Sequence, residues 1–138
     1  MNKNPLGQET STGSRDSTIK RLLIVDDEET LTFSLYQMFI NSDIDCQVVT
    51  ASSGEEALER LAEGEFDLVI TDLAMPGIDG LQLLSSIKQR TPRTHVIIIT
   101  AYGSDERRDR AYELGADYYL EKPFDIHELR KLVFKIIG

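Results

Sequence analysis

The chain has 138 residues, enough for one compact domain with a tail, and its 41% hydrophobic and 28% charged residues are ordinary for a globular fold. A net charge of −9, from 24 Asp and Glu against 15 Lys and Arg, argues against nucleic-acid binding, which draws on Lys and Arg to displace counterions from phosphates. Cys46 is the one cysteine, so no intramolecular disulfide can form; with no secretory signal and no apolar run near the roughly 18 residues of a membrane span, a soluble cytoplasmic protein is expected.

Residues 1–20 are polar and carry no hydrophobic period, the pattern of a flexible N-terminal tail, which leaves 21–138 as the folded domain. The first apolar run, Leu22–Val25, precedes a stretch in which Leu31, Leu35, Met38 and Phe39 share one helical face. Cys46–Val49 is the second run, with Cys46 expected as a small core-facing strand residue. Ser53 and Glu56 then have capping-box spacing, Ala57, Leu58 and Leu61 form a buried stripe, and Gly64 supplies a stop. The third run, Leu68–Ile70, leads through a Met75-Pro76-Gly77 turn to a helix capped by Asp79 and striped by Leu81, Leu84 and Ile87. Val96–Ile99 precedes a helix opened by Ser104, thinly striped by Ala111 and Leu114 and closed by Gly115. After Tyr118–Leu120, a second capping-box spacing at Asp125 and Glu128 opens a helix carrying Ile126, Leu129, Leu132, Val133 and Ile136. Five short apolar strands alternating with five helices predict a doubly wound, flavodoxin-like α/β domain with helices on both faces of a parallel sheet and strand order 2-1-3-4-5.

In such a sheet, ligands bind beyond the carboxyl ends of the strands, near the switch point between the first and third. There the sequence places Asp26-Asp27 and then Glu28-Glu29 after the first strand, Asp72 after the third, Thr100 after the fourth and Lys122-Pro123 after the fifth. Singly, each has an ordinary explanation, since acids after strands cap helices, Thr ends strands, and Lys before Pro sits in a solvated loop. Together they have one chemical reading. Crowded carboxylates repel unless a cation intervenes, and a hard divalent cation such as Mg²⁺ or Mn²⁺ takes oxygen ligands. With the cation in place, one carboxylate can attack phosphorus while Thr100 and Lys122 hold the other phosphoryl oxygens.

The segments LLIVDDEE, DLVITDLAMPGIDG, HVIIITAYGS and ADYYLEKPF resemble the motifs of response-regulator receiver domains, from Arg21 to Gly138. The resemblance implies that Asp72 accepts a phosphoryl group from the phosphohistidine of a sensor histidine kinase or a phosphotransfer protein. It implies that Asp27 and Asp72 bind Mg²⁺ directly, that Asp26 acts through a metal-bound water, and that the backbone carbonyl of Ala74 completes the protein ligands. Thr100 would bond the phosphoryl group, Lys122 would pair with it, and the Lys122–Pro123 peptide would be cis. Tyr119 falls at the aromatic switch position, whose ring turns inward as Thr100 moves toward the phosphoryl group. The face formed by the fourth helix, fifth strand and fifth helix is then the expected output surface, toward an output domain, a partner protein or a second copy in a homodimer. The plainer account of Tyr119 is a half-buried packing aromatic, with Tyr118 on the opposite face by strand alternation. Arg107, Arg108 and Arg110 on the fourth helix are partner contacts or a solvated charged face. In this family the positions two after the acceptor and two after the hydroxyl residue, here Ala74 and Tyr102, flank the approach of hydrolytic water; Ala74 has no polar group to hold a water and Tyr102 is bulky enough to crowd the path without being a good base, so slow autodephosphorylation is expected. The AYGS segment resembles receivers of NtrC-like transcriptional regulators.

Two other readings share parts of this pattern. A haloacid-dehalogenase-like phosphatase would need an Asp-x-Asp nucleophile motif on the first strand, where this chain has adjacent Asp26 and Asp27. A binding module that kept the fold and lost phosphorylation would have no need of Asp72, Thr100 and Lys122 together. The preferred reading is a signalling domain, not a conventional enzyme, that catalyses its own phosphorylation and dephosphorylation.

Overall fold

The computed structural model describes residues 19–138. Its elements are β1 (Lys20–Val25), α1 (Glu29–Ile40), β2 (Cys46–Ala51), α2 (Gly54–Glu63), β3 (Leu68–Asp72), α3 (Gly80–Arg90), β4 (His95–Thr100), α4 (Asp105–Glu113), β5 (Tyr118–Glu121) and α5 (Ile126–Ile137). β1 starts at Lys20, one residue before the boundary read from the sequence, and the rest of the N-terminal stretch lies outside the described residues. The strands pair in parallel in the order β2-β1-β3-β4-β5, so consecutive β1 and β2 sit on one side of the switch and β3 to β5 on the other.

The three central strands are apolar at nearly every position because both their faces are covered. Leu22, Ile24, Leu68, Ile70, Ile97 and Ile99 meet Leu35 and Phe39 of α1 and Leu129 and Val133 of α5. The alternate residues Leu23, Val25, Val69, Val96 and Ile98 pack toward Ala57 of α2, Leu83, Leu84 and Ile87 of α3, and Ala111 of α4. A one-residue slip would exchange the two sets, and each fully buried Leu or Ile is worth about 1.5–3 kcal/mol, so the register is strongly fixed. The same alternation divides β5, where Tyr118 joins the α1–α5 side and Tyr119 the α2–α4 side. Cys46 is partly buried against the α1–α5 core, at the start of edge strand β2.

Helix ends depart from the sequence reading in their details. Ser53 accepts from the Glu56 N–H at 3.0 Å, but the Glu56 carboxylate turns to the backbone and hydroxyl of Ser52, which hold it below the usual carboxylate range. That leaves the expected box half closed. Asp125 accepts from His127 rather than Glu128. The complete capping box is at α3, where Asp79 and Gln82 exchange bonds of 2.8 and 2.9 Å. On that helix Leu83 is fully buried and Leu81 only partly, because α3 presents Leu83 and Leu84 side by side to the sheet.

Candidate functional site

The carboxyl ends of β1 and β3 are neighbours, so the residues that follow them meet at one edge of the sheet. One carboxylate oxygen from each of Asp26, Asp27 and Asp72 falls within 4.8 Å of the others. Asp27 is exposed, whereas Asp26 and Asp72 are only 1% and 6% exposed. Lys122, from the end of β5, reaches into this cluster with its Nζ 3.0 Å from Asp26 Oδ2, 3.4 Å from Asp72 Oδ2 and 3.5 Å from Glu28 Oε1. The Lys122–Pro123 peptide that delivers the side chain is cis.

The charges explain one another. Burial pushes the Asp26 carboxyl above its ordinary range, and the neighbouring Asp72 charge adds to that. A 2.8 Å bond from the Glu28 N–H and the ammonium of Lys122 oppose the rise without cancelling it. Burial pulls Lys122 downward, but its hydrogen bond to Asp26 and the charges of Asp26 and Asp72 outweigh that and leave it above its usual value. One ammonium thus meets three acidic side chains, with Asp27 a fourth acid in the cluster, and the site keeps a local excess of negative charge. Hard carboxylate oxygens set this close fit a small divalent cation such as Mg²⁺, with Asp26, Asp27 and Asp72 as the residues that would hold it.

The loop after β3 begins by turning on Asp72, whose Oδ1 accepts from the Ala74 N–H at 3.2 Å. An equivalent bond follows β4, where the Tyr102 N–H donates to Thr100 Oγ1 at 3.0 Å. Thr100 is fully buried, and because its oxygen accepts from Tyr102, its own proton is left to donate. Its side chain makes no hydrogen bond to Asp72 or Lys122 among the described residues, so the structure gathers the acids and the lysine closely and sets Thr100 beside them. Arg107 of α4 donates to the Tyr102 carbonyl at 3.1 Å, tying the β4–α4 loop to its helix.

Two contacts escaped the sequence reading. Glu28, taken there only as part of an acidic run, is a third partner of Lys122; its place two residues after Asp26 was the available signal. Glu55 of α2 accepts from the Ile78 N–H in the β3–α3 loop, and no local pattern announces that pairing across 23 positions.

The family model for the response regulator receiver domain matches residues 22–134. The DNA-binding transcriptional regulator NtrC of Escherichia coli K12 is 41% identical over 115 residues, which is 83% of this chain and 24% of that protein. The chain therefore spans about a quarter of the length of that relative. The sporulation initiation phosphotransferase F of Bacillus subtilis is 36% identical over 118 residues, covering 86% of this chain and 94% of that one. Among solved structures, the beryllofluoride-activated NtrC4 receiver domain dimer superposes with a TM-score of 0.78 at 32% identity, over 85% of this chain and 95% of that one. With the fold, the acidic cluster and these matches in agreement, the chain belongs to the response regulator receiver domain family.

Proposed function

We propose that this domain accepts a phosphoryl group on Asp72 from the phosphohistidine of a histidine kinase or phosphotransfer protein, with Mg²⁺ bound by Asp26, Asp27, Asp72 and the Ala74 carbonyl. The observation that carries the reading is the cluster of three carboxylates within 4.8 Å with the Lys122 ammonium 3.4 Å from Asp72. When bound, Mg²⁺ supplies neutralising charge for the transferring oxygens. The chain's own residues do the rest. An oxygen of Asp72 forms a bond to phosphorus as the donor's N–P bond breaks, and the imidazole nitrogen keeps the bonding electrons. Asp72 Oδ1 is already oriented by the Ala74 N–H, which fixes the carboxylate plane for attack. Lys122, shared among Asp26, Asp72 and Glu28, turns to the phosphoryl oxygens as the Asp72 charge is consumed, and the Thr100 hydroxyl donates to another.

The response would pass through Thr100 and Tyr119 to the face of α4, β5 and α5, which would meet an output domain, a partner protein or a second copy. The dimeric state named for the NtrC4 receiver supports the last of these. A cytoplasmic setting fits a kinase-linked signalling module, and no helix among the described residues is long and apolar enough to cross a membrane. Incubation with acetyl phosphate and Mg²⁺ tests the core of the proposal. The unaltered protein should gain one phosphoryl group and Asp72→Asn none, with its fold intact because the amide is nearly isosteric. Full labelling of Asp72→Asn would remove Asp72 as acceptor, and fast turnover of acetyl phosphate with no accumulation of the labelled protein would favour a phosphatase.

A further inference from the structure

The β3–α3 loop, which carries Ala74, is held at two places. At its neck the Gly80 N–H donates to the Leu73 carbonyl at 2.8 Å, and a Cβ at position 80 would lie 2.5 Å from the Asp72 carbonyl and 2.7 Å from the Leu73 Cα. Farther along, the loop rests on the first turn of α2. A Cβ on Gly54 would lie 2.7 Å from the Ile78 carbonyl oxygen and 2.8 Å from the Ile78 Cβ, so residue 54 must be small for the two backbones to approach. From the next position, Glu55 accepts from the Ile78 N–H at 3.3 Å, and no other acceptor serves that N–H among the described residues. The same Glu55 oxygen covers Gly77, which takes the left-handed conformation at φ 77°, and it would collide with any side chain there.

We propose that Glu55 is a positioning residue of the acidic site: from α2 its carboxylate braces the β3–α3 loop and so fixes the backbone at Ala74 that meets the cation. The inference rests on the Mg²⁺ reading above and adds a residue to it. Met75 and Ile78 also pack the loop against the α2–α4 core, and the Glu55–Ile78 bond is the polar contact that ties the loop backbone to α2. A plainer role exists for Glu55, because an acid in the first turn of a helix is favoured by the helix dipole. That role depends on charge, which Gln lacks as fully as Ala does, whereas the brace depends on a carbonyl-type acceptor, which Gln keeps.

The difference sets the experiment. Mg²⁺ binding to the full chain is measured calorimetrically for the parent, Glu55→Ala and Glu55→Gln, with amide hydrogen exchange at Ile78 followed without Mg²⁺. Glu55→Ala should raise the Mg²⁺ dissociation constant about threefold to tenfold, the scale of one hydrogen bond, and speed exchange at Ile78. Glu55→Gln should stay close to the parent in both. Acetyl phosphate labelling of Glu55→Ala should return to the parental rate once Mg²⁺ saturates. Equal weakening in the two variants, or parental affinity in Glu55→Ala, would overturn the brace. A parent that binds no Mg²⁺ would overturn the metal reading and the brace together, so the two failures are told apart.

Discussion

The Tyr119 hydroxyl lies where the Cβ of an alanine at position 103 would have to be. Gly103 is not in a positive-φ conformation, so backbone strain does not require glycine there, and the space for the tyrosine does. The ring is seated inward beneath the β4–α4 loop, and its hydroxyl is buried with no hydrogen-bond partner among the described residues. Burial, then the charge of Glu121, raises the Tyr119 phenol above its ordinary value; the approach of the Ser104 backbone, short of hydrogen-bonding geometry, and the charges of Arg107 and Arg108 pull the other way.

An alanine at 103 would fall on the hydroxyl, and 3.0 Å from both the ring carbon that bears it and the buried Thr100 Cγ2, contacts that persist with Phe but are far milder than the one with the hydroxyl. Gly103→Ala should therefore be costly with Tyr at 119 and distinctly less so with Phe. Denaturant melts of the four proteins in this double-mutant cycle should give a coupling of about 1 kcal/mol or more, with Tyr119→Phe alone neutral or stabilising because it removes an unpaired buried hydroxyl. Equal costs of Gly103→Ala in the two backgrounds would show that the inward seat is not set by residue 103.

The sheet and the acidic cluster were legible because both are written locally. The order of apolar runs gave the strands, and Asp26 and Lys122 each follow a strand at once while Asp72 ends one, so parallel topology alone brings them to one edge. What was not legible depends on side-chain choice or on distant pairing. Glu56 had box spacing but found the Ser52 hydroxyl and N–H instead. The Gly54–Ile78 approach and the Glu55–Ile78 bond arise only when α2 and the β3–α3 loop are docked, and neither residue stands out in its own segment. The need for glycine at 103 is not written in its own segment, because the ring that fills its side-chain space comes from β5.

The charge balance at the cluster predicts how the domain responds to a cation. Asp26, Asp72 and Glu28 surround one ammonium, and the exposed Asp27 joins Asp26 and Asp72 without contacting Lys122. Asp27→Ala should therefore raise the melting temperature in EDTA by relieving repulsion, and it should abolish most of the stabilisation by Mg²⁺. For the unaltered protein, Mg²⁺ at 100 times its dissociation constant should contribute about 2.7 kcal/mol, since only the folded chain gathers the ligands. A melting curve indifferent to Mg²⁺ would count against the site, and a lower melting temperature for Asp27→Ala in EDTA would count against the repulsion.

The lifetime of the phosphorylated state follows from the two residues held beside Asp72 and Thr100. Hydrolysis of an acyl phosphate needs a water aligned opposite the Asp72 oxygen. Ala74 and Tyr102 are each tied by a backbone N–H to the side chain two positions earlier, Asp72 and Thr100, and with Asp72 as the proposed acceptor they would stand beside that approach. Ala74 has no group to hold a water. The Tyr102 side chain is 73% exposed, and a phenol is a poor general base at neutral pH. A ring this exposed does not give the crowding expected of Tyr102, so the slow loss predicted here rests on the lack of a group that orients the water. Ala74→Asn with Tyr102→Glu supplies two such groups and should speed phosphoryl loss by on the order of tenfold, about 1.4 kcal/mol of barrier. Each single substitution should give part of the gain, because one water is held from both sides. Decay of the labelled protein after removal of acetyl phosphate measures this directly, and a double variant that decays no faster than the parent would show that water positioning at these two residues does not set the lifetime.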